Sequence, residues 1–479
     1  MPNGELGEGV RPTREVFILS EGPDDYLVYA PLRGRVFAAN AAFVNHLAGL
    51  LGDHSTDETI DQETQRLREL KQLDLLEDEA ERAFLATDIT REFCPTEVTI
   101  LPTTACNFRC RYCYASSGDQ RHGIRHIDPL IAHAAVRFVI DNACQKGVET
   151  CYLSFRGGGE PLTKWRLLAD VVEKARAYAK ERRPSLTLSV SLITNGYLRP
   201  EVVDWVASSV DSMMVSLDGP PDVQNDQRPL ASGSPTFDRV LAVLEEFHRR
   251  GVPEVKARAT VSSRYVERIP EIMRFVCQHV PVQQFYLAPV VREGRCLETG
   301  YSQPDLHLFA EGMRVARQVA ASFGKQAVSS LPDQVFSEVR RQYCGANLPS
   351  FTVTPDGLVT ACQVVMDSSD PRSRVFHYGA WDGVAKEFRF DAETIERLRG
   401  RHVNSLAQCR DCFAKYQCVG GCPKERVSGA RGEETNADDM RCEVNREVVR
   451  SRLREALGTA KSPVTFGSNT VSVIDAFPE

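Results

Sequence analysis

The side chains best suited to chemistry in this 479-residue chain are its fifteen cysteines. Ten of them fall into two groups, at 106–113 and at 344–442. The first group reads Cys106-Asn-Phe-Arg-Cys110-Arg-Tyr-Cys113 and is followed by Tyr114. Three thiolates on one tight loop bind three irons of a [4Fe–4S] cube and leave the fourth iron open to an exogenous ligand. The spacing therefore predicts a cluster with one free coordination position.

Zinc is the alternative for these three cysteines. A structural zinc site needs a fourth Cys or His nearby, and the nearest candidates, His122 and His126, lie at irregular distances along the chain. The motif also follows a predicted strand, where a catalytic loop belongs, so the iron–sulfur interpretation is favoured. The scattered cysteines are interpreted as small buried hydrophobic residues: Cys94, Cys144, Cys151, Cys277 and Cys296.

Composition excludes several classes of function. The formal net charge is -7, and no basic stripe interleaved with aromatic residues offsets repulsion by a phosphate backbone, which argues against a nucleic-acid partner. The N-terminus lacks the apolar segment of a signal peptide, and no apolar run approaches the ~18 residues that span a bilayer. We therefore expect a cytoplasmic protein with no membrane partner. An odd number of cysteines in a large chain without a signal favours metal binding over disulfides.

Strand and helix patterns alternate from about residue 95 to 290. Strands are predicted at Glu97–Leu101, Thr150–Phe155, Leu186–Thr194, Ser212–Leu217, Val255–Val261 and Gln284–Ala288, with helices such as Leu130–Lys146, Lys164–Glu181 and Thr236–Arg249 between them. Because parallel strands require crossover connections, six such units predict a parallel sheet, open or curled into a partial barrel. In such folds the chemistry gathers at the carboxyl ends of the strands.

Smaller blocks flank this barrel. Strand-like stretches at Val16–Ser20, Tyr26–Ala30 and Arg35–Ala39 lead into helical patterns at Ala41–Leu51 and Thr56–Leu76, an order that suits a small winged-helix-like module. A helical pattern through Asp305–Phe323 leads to a block rich in Cys, Gly and short turns. That block has too little apolar periodicity for a conventional core, and metal clusters would replace the core. The last twenty residues indicate a polar tail.

The predicted fold class is therefore α/β: a partial (β/α)6 TIM-like barrel with an N-terminal winged-helix-like module and a C-terminal cysteine-rich iron–sulfur domain. The predicted segments are a flexible tail at 1–13, the N-terminal module at 14–91, the barrel at 92–300, a helical connection at 301–340, the cysteine-rich domain at 341–455 and a C-terminal tail at 456–479.

With its motifs in this order, the chain resembles the radical S-adenosylmethionine (SAM) superfamily over about residues 90–450. Three strand-end segments carry the resemblance beyond the first cysteines: Gly157-Gly158-Gly159-Glu160-Pro161, Thr194-Asn195-Gly196 and Ser216-Leu217-Asp218-Gly219. The resemblance implies that the open iron binds the amino and carboxylate groups of SAM. One electron from the cluster then yields a 5′-deoxyadenosyl radical, which abstracts hydrogen from the substrate while the protein sets distance and orientation.

The resemblance also implies which residues contact SAM. Glu160 and the backbone before it would hold the ammonium of the methionine half. Arg258 would pair with the SAM carboxylate through two parallel donors, although a surface salt bridge is an equally good interpretation. The full set of expected cofactor contacts is Tyr112, Gly158, Gly159, Glu160, Asn195, Ser216 and Arg258.

Seven C-terminal cysteines match the extension known as SPASM. They are Cys344, Cys362, Cys409, Cys412, Cys418, Cys422 and Cys442. A zinc ribbon on the four from Cys409 to Cys422 would leave three unexplained. The resemblance implies one auxiliary [4Fe–4S] cluster on Cys409, Cys412, Cys418 and Cys442, and a second on Cys344, Cys362 and Cys422. The second set is one thiolate short, so its fourth iron is open to a substrate thiolate or water, or is capped by a distant group such as Cys296.

The family reactions divide between formylglycine formation in sulfatases and modification of ribosomally made peptides. Sulfatase-maturing relatives place an Asp directly after the second SPASM cysteine, where this chain has Gln363, and a carboxamide accepts no proton near neutral pH. The segment from Tyr26 to Phe37 and the two helices after it are similar to the PqqD-like element of peptide maturases, in which a leader peptide adds as a strand to a sheet edge. The alternative interpretation is that this N-terminal block only caps the barrel.

The favoured reading is a peptide-modifying maturase with SAM and three [4Fe–4S] clusters. Its expected partners are a precursor peptide and reduced flavodoxin or ferredoxin as electron donor. The candidate catalytic residues are Gln363, Asp218 and Tyr114. The alternatives are a radical SAM enzyme acting on a small metabolite, a sulfatase-maturing enzyme, and a non-catalytic iron–sulfur electron-transfer protein.

Overall fold

The computed structural model describes residues 11–52, 59–86, 92–119, 123–332, 338–347, 350–428, 433–434, 439–458, 463–466 and 469–475. His122, considered above as a zinc ligand, lies outside the described residues, as do residues 1–10 of the predicted tail. Among the described helices, none combines the length and apolar character needed to cross a membrane.

Eighteen strands and fifteen α-helices are described. Strands β1–β18 span Phe17–Gly22, Asp25–Ala30, Arg35–Ala39, Glu97–Ile100, Thr150–Phe155, Thr187–Thr194, Ser212–Ser216, Val255–Val261, Gln284–Pro289, Gln326–Ser329, Phe351–Val353, Leu358–Thr360, His377–Asp382, Glu387–Phe390, Val427–Ser428, Glu433–Glu434, Pro463–Phe466 and Asn469–Asp475. Helices α1–α15 span Ala41–Leu51, Ile60–Gln72, Glu79–Leu85, Pro129–Lys146, Trp165–Arg182, Pro200–Ser209, Pro221–Gln227, Phe237–Arg249, Ile269–His279, Cys296–Thr299, Leu306–Ser322, Ser373–Phe376, Ala392–Arg399, Lys415–Cys418 and Asp439–Gly458.

The centre of the molecule is an eleven-stranded sheet. Strands β4 to β9 lie side by side in chain order and pair in parallel, and β10 adds in parallel beyond β9. Helices such as α4, α5 and α8 follow strands β4, β5 and β7 and bury their apolar faces against the sheet. The predicted α/β class with a large parallel sheet is confirmed. All the carboxyl ends of β4–β9 consequently point to one edge, where their loops meet.

The cysteine-rich block continues this sheet. β11 pairs in parallel with β4, and β12, β13 and β14 follow antiparallel. The rings of Phe351, Phe388 and Phe390 contact one another, and those of Phe351 and Phe390 also contact the ring of Phe138 on α4. The expectation that this block lacks a conventional core is therefore wrong for the strands β11–β14, which share the core of the barrel. The cause is that short strands of three to six residues carry little periodicity of their own.

The N-terminal module is a sheet of β1, β2 and β3 with both faces covered. Val28 and Phe37 face α1 and α2, whereas Tyr29 and Val36 pack against Phe413 and α15. Polar contacts also join the module to the cysteine-rich block. The Lys415 ammonium lies 2.5 Å from the Glu15 carboxylate, and Gln417 donates to the Tyr29 hydroxyl at 2.7 Å. The module thus packs on the cysteine-rich block. It also contains α3, which the sequence analysis did not predict.

The C-terminal segment differs from the predicted tail. Helix α15 extends to Gly458, and β17 and β18 form an antiparallel hairpin. β18 pairs antiparallel with β3, so the N-terminal sheet has the order β1-β2-β3-β18-β17. The two ends of the chain therefore meet in one sheet.

Candidate active site

The loop after β4 carries the first three cysteines and is held by two arginines. Arg109 donates from its guanidinium to the carbonyls of Cys106 at 3.1 Å and Gly118 at 2.6 Å, which closes the loop on itself. Arg295, which follows β9, donates to the carbonyl of Cys110 at 2.7 Å from its guanidinium and to that of Cys113 at 2.9 Å from its backbone N–H. The loop is therefore held by an arginine of its own and by one from the loop after β9.

The donor set of this loop fits an iron–sulfur cluster. The N–H groups of Phe108 and Ser117 lie 3.4 Å from the sulfurs of Cys106 and Cys113, as donors that stabilise thiolate charge. Burial raises the pKa of Cys110 to about 11, while the guanidinium groups of Arg228 and Arg295 act in the opposite direction. Burial and mutual repulsion disfavour the thiolate form of these cysteines, and a bound metal stabilises that form.

The described residues do not bring three His, Cys, Asp or Glu side chains together at the spacing of a single metal ion. In a cube each thiolate binds a different iron, so the three sulfurs stand further apart than around one zinc ion.

All expected SAM contacts line one cavity of about 240 Å³. It opens at the carboxyl ends of the barrel strands, beside the cysteine loop. Its lining includes Cys106, Cys110, Cys113, Tyr112, Gly158, Gly159, Glu160, Asn195, Ser216 and Arg258. The candidates Tyr114 and Gln363 also line it. Arg258 stands in this lining, and none of the ion pairs found among the described residues includes it.

Glu160 is buried at the junction of three segments. Its Oε1 accepts from the Thr194 hydroxyl at 2.8 Å and its Oε2 from the Asn195 N–H at 2.7 Å, while the Glu160 N–H donates to the Ala105 carbonyl at 2.8 Å. Burial raises the pKa of this carboxyl above its ordinary value. Glu160 thus joins the loops after β4, β5 and β6 and places one negative charge in the cavity wall.

Gly159 lies where two backbone segments approach closely. A Cβ on Gly159 would collide with the backbone of Thr104 and Ala105. A side chain at this position would push the glycine loop away from the cysteine loop, so the contact explains why glycine occupies the position.

Asp218 lies behind the cavity instead of in its lining. The Tyr112 hydroxyl donates to Asp218 at 2.8 Å and accepts from the Arg228 guanidinium at 2.7 Å. Gln227 and the N–H of Thr260 also donate to Asp218. Burial raises the pKa of Asp218, and the charge of Arg228 opposes that rise. The geometry fits a carboxylate that positions Tyr112, and a direct catalytic role for Asp218 stays a prediction.

Tyr114 lies between the two cysteine groups. Burial raises the pKa of Tyr114 to about 12, and the nearby thiols of Cys113 and Cys362 act in the same direction. Gln363, next in the chain to Cys362, reaches the same cavity. The loop that carries Cys362 therefore reaches the cavity beside the glycine loop, where a Cβ on Gly158 would lie 3.1 Å from the Met366 sulfur.

Thiols of the remaining cysteines influence one another's pKa within each of the two expected sets, and the clusters on these sets stay a prediction. Burial raises the pKa of Cys418 to about 11, and the thiols of Cys442, Cys412 and Cys409 add to the rise. Asn445 donates to the Cys418 sulfur at 3.0 Å.

The second set is linked in the same way. Burial raises the pKa of Cys422 to about 12, and the contributing charges include those of the Cys362 and Cys344 thiols. Cys296 has other neighbours: its thiol donates to the carbonyls of Val291 at 3.1 Å and Glu293 at 3.2 Å. The contacts of Cys296 are thus with the barrel.

A largely buried ionic junction ties the loop after β9 to the cysteine-rich block. The Glu293 carboxylate accepts from Arg372 at 2.8 Å and from Lys424, and Arg372 also pairs with Asp370 at 2.7 Å. Burial favours a raised pKa for Glu293, but the bonds from Arg372 and Lys424 outweigh it and hold the pKa below its ordinary value.

Several of these residues escaped the sequence analysis. Arg109 stands inside the cysteine motif, at a position that the cysteine spacing does not specify, and closes the loop locally. Arg228 and Arg295 fix the tyrosine and the loop from elsewhere in the chain, and neither stands in a recognisable motif. Their roles depend on contacts across the fold, such as the one between Arg295 and Cys110, 185 residues apart.

Comparison with known proteins agrees with the geometry. Residues 100–276 match the model of the Radical SAM superfamily. The serine-type anaerobic sulfatase-maturating enzyme of Klebsiella aerogenes is 25% identical over 336 residues, 67% of this chain and 77% of that protein. The mycofactocin maturase MftC of Mycolicibacterium smegmatis is 24% identical over 339 residues, 67% of this chain and 76% of that protein.

Solved structures share the fold. The anSMEcpe protein, solved with AdoMet and the Cp18Cys peptide, has a TM-score of 0.60 at 19% identity and covers 75% of this chain and 98% of its own. Streptococcus suis SuiB, bound to its precursor peptide SuiA, has a TM-score of 0.50 at 15% identity and covers 81% and 83%. The cysteine loop, the shared cavity and the family match together lead to one conclusion: residues 100–276 form a radical SAM domain, and the chain is an enzyme similar to the two maturases named above.

Proposed function

We propose that this enzyme cleaves SAM at a [4Fe–4S] cluster held by Cys106, Cys110 and Cys113 and uses the resulting radical to modify a ribosomally made precursor peptide. The observation that carries the proposal is the single cavity that unites these thiols with the glycine loop and the ends of β6, β7 and β8. When bound, the cluster and SAM supply a 5′-deoxyadenosyl radical that abstracts hydrogen from the substrate.

The residues of the chain have positioning roles in this scheme. Glu160 would accept a hydrogen bond from the SAM ammonium through the Oε2 lone pair that Thr194, Asn195 and the Leu162 N–H leave free. Arg258 would donate to the SAM carboxylate. Asp218 would hold Tyr112 in the wall of the cavity, and Arg295 would keep the cysteine loop in place. Fixed geometry of this kind brings the reacting atoms together.

Two auxiliary [4Fe–4S] clusters belong to the proposal. One would bind Cys409, Cys412, Cys418 and Cys442, and the mutual influence of these thiols supports it. The other would use the set Cys344, Cys362 and Cys422. Its fourth position would be open to a substrate thiolate or water, since Cys296 has its contacts on the barrel side.

A peptide substrate is supported by two independent features. The N-terminal sheet packs on the cysteine-rich block, between Tyr29 and Gln417, as a recognition module for the active site would. A known relative is a mycofactocin maturase, and a structure of similar fold holds a precursor peptide. Reduced flavodoxin or ferredoxin would supply the electron.

Sulfatase maturation is the second candidate, favoured by the similarity to the enzyme of Klebsiella aerogenes. Against it, the cavity residue after Cys362 is Gln363, and a carboxamide does not take up a proton as a carboxylate does. A small metabolite as substrate would leave the N-terminal sheet without a role.

The test is incubation of reduced, reconstituted enzyme with SAM and a candidate precursor peptide, sought among the short reading frames beside the gene. We expect 5′-deoxyadenosine to form in step with a mass change in the peptide, detected by mass spectrometry. A sulfatase peptide with Cys or Ser at the modified position is the matched comparison. Conversion of the sulfatase peptide alone would overturn the peptide-maturase proposal, and SAM cleavage without a change in either peptide would point to a small metabolite.

A further inference from the structure

Two cations of the ionic junction around Glu293 also act on the second set of C-terminal cysteines. Lys424 stands two residues after Cys422, in the short helical turn that follows it, and only 5% of its side chain is exposed. Arg372 directly precedes α12, at the end of the loop that Cys362 begins. Burial raises the pKa of the Cys362 and Cys422 thiols, and the charge of Lys424 opposes the rise at each. The charge of Arg372 acts with it at Cys362.

One carboxylate holds both cations. Glu293 accepts from the Arg372 guanidinium through both of its oxygens, at 2.8 and 3.3 Å, and its Oε1 also accepts from Lys424. Arg372 has a second partner in Asp370, at 2.7 Å. Among the ion pairs found in the described part of the chain, Lys424 takes part only in the one with Glu293. Glu293 therefore determines how much of the Lys424 charge acts on the cysteine set.

The junction stands between the two cysteine sites of the cavity. Gly294 follows Glu293 and has a φ of 62°. A Cβ on Gly294 would collide with the carbonyl oxygens of Cys113 and Tyr114. The next residue, Arg295, donates to the Cys113 carbonyl. A continuous stretch of chain thus runs from the counter-charge of Lys424 to the loop that carries the first three cysteines.

We propose that Lys424 and Arg372 raise the reduction potential of the auxiliary cluster on the second cysteine set, and that Glu293 limits the rise as their shared counter-charge. The proposal rests on the auxiliary cluster proposed above. A nearby positive charge favours the reduced cluster, which carries one more negative charge than the oxidised one. The same charge favours binding of a thiolate at the open iron. The two cations thereby suit this site to accept an electron, or an anionic sulfur, from the substrate.

The charges predict shifts of opposite sign in two variants. Two unit charges about 10 Å apart, at an effective dielectric constant of about 20, change an equilibrium about tenfold. Lys424→Met removes a positive charge, so at the potential that half-reduces the wild-type cluster we expect only about one-tenth to be reduced. Glu293→Gln removes the counter-charge, so the reduced fraction at that potential should rise well above half. A merely structural junction would shift both variants alike, because loosening in either one admits water to the same cluster.

The experiment is EPR-monitored potentiometry of the reconstituted full chain. The background variant C106A/C110A/C113A removes the SAM-binding cluster, so that only the auxiliary clusters give signals. Cys344→Ala, at an exposed position of the second set, identifies the signal of the second cluster by its loss. Circular dichroism and iron content establish that each variant is folded and loaded.

Three matched variants separate charge from structure. Lys424→Arg keeps the charge and should keep the wild-type potential. The double variant E293Q/K424M loses one charge of each sign and should return the reduced fraction toward half. Lys174→Met removes an exposed lysine of α5 that pairs with Asp170, and it should leave the potential unchanged.

Shifts of the same sign in Lys424→Met and Glu293→Gln, or no shift in either, would overturn the proposal while the auxiliary cluster stands. If Glu293→Gln holds no iron, equal potentials of Lys424→Met and Lys424→Arg overturn it as well. A chain in which no signal depends on Cys344 would overturn the proposal together with the second auxiliary cluster. No step of this test uses SAM, so its failure is distinguishable from failure of the proposed SAM cleavage.

Discussion

The ionic junction around Glu293 makes a sharp prediction for the variant Glu293→Gln. The side chains of Glu293 and Lys424 are only 19% and 5% exposed, so the substitution leaves the Lys424 ammonium buried without its carboxylate. Breaking a buried pair by removing one partner costs about 3–5 kcal/mol. Arg372 keeps Asp370 as a partner, so we expect the lower end, about 3 kcal/mol. At about 2 °C per kcal/mol for a large domain, the melting temperature should fall by about 6 °C.

The assay is thermal unfolding of the reconstituted enzyme under anaerobic conditions, followed by circular dichroism. Glu311→Gln is the matched control, because the pair of Glu311 and Arg314 has side chains 59% and 41% exposed and should contribute less than about 1 kcal/mol. In the Glu293→Gln background, Lys424→Met should restore stability by removing the orphaned charge. A melting temperature of Glu293→Gln equal to that of the control, or a double variant less stable than Glu293→Gln, would refute the reasoning.

Three further substitutions test the site. Cys442→Ala should lower the melting temperature more than Cys106→Ala, because the segment around the last cysteines depends on cross-linking by metal; equal melting temperatures would speak against this. Gly159→Ala should abolish SAM binding because its Cβ meets backbone, whereas Gly49→Ala, with open space around it, should have no such effect in calorimetric titration with SAM. Glu160→Gln should weaken SAM binding about tenfold or more in the same titration, since a charge-assisted hydrogen bond contributes about 1.5–3 kcal/mol; unchanged affinity would remove Glu160 from the SAM site.

The assembly of the cavity could be predicted from sequence because it follows from topology. Cys106, Glu160, Asn195 and Ser216 each stand just after or at the end of a strand, and the carboxyl ends of neighbouring parallel strands meet at one edge. The structure places all four in the same cavity wall. Local patterns were enough here, since each motif needed only its own strand to be positioned.

Other features could not be predicted because they depend on contacts distant in sequence. Arg228 donates to Tyr112, 116 residues away in the chain. The sequence around neither residue indicates that contact. The strand β11 has three residues, too few for a period of two to be recognised. The β17–β18 hairpin is short and gains its place by pairing with β3 from the other end of the chain.

The most direct test of the central claim is SAM cleavage by the variant in which Cys106, Cys110 and Cys113 are all replaced by Ala. Wild-type enzyme, reconstituted with iron and sulfide and reduced, should form 5′-deoxyadenosine, and the variant should form none. Iron content should fall by about four atoms per chain, one cube's worth, with the rest retained by the C-terminal cysteines. Formation of 5′-deoxyadenosine by the triple variant at the wild-type rate would contradict the assignment of the SAM-cleaving cluster to this loop.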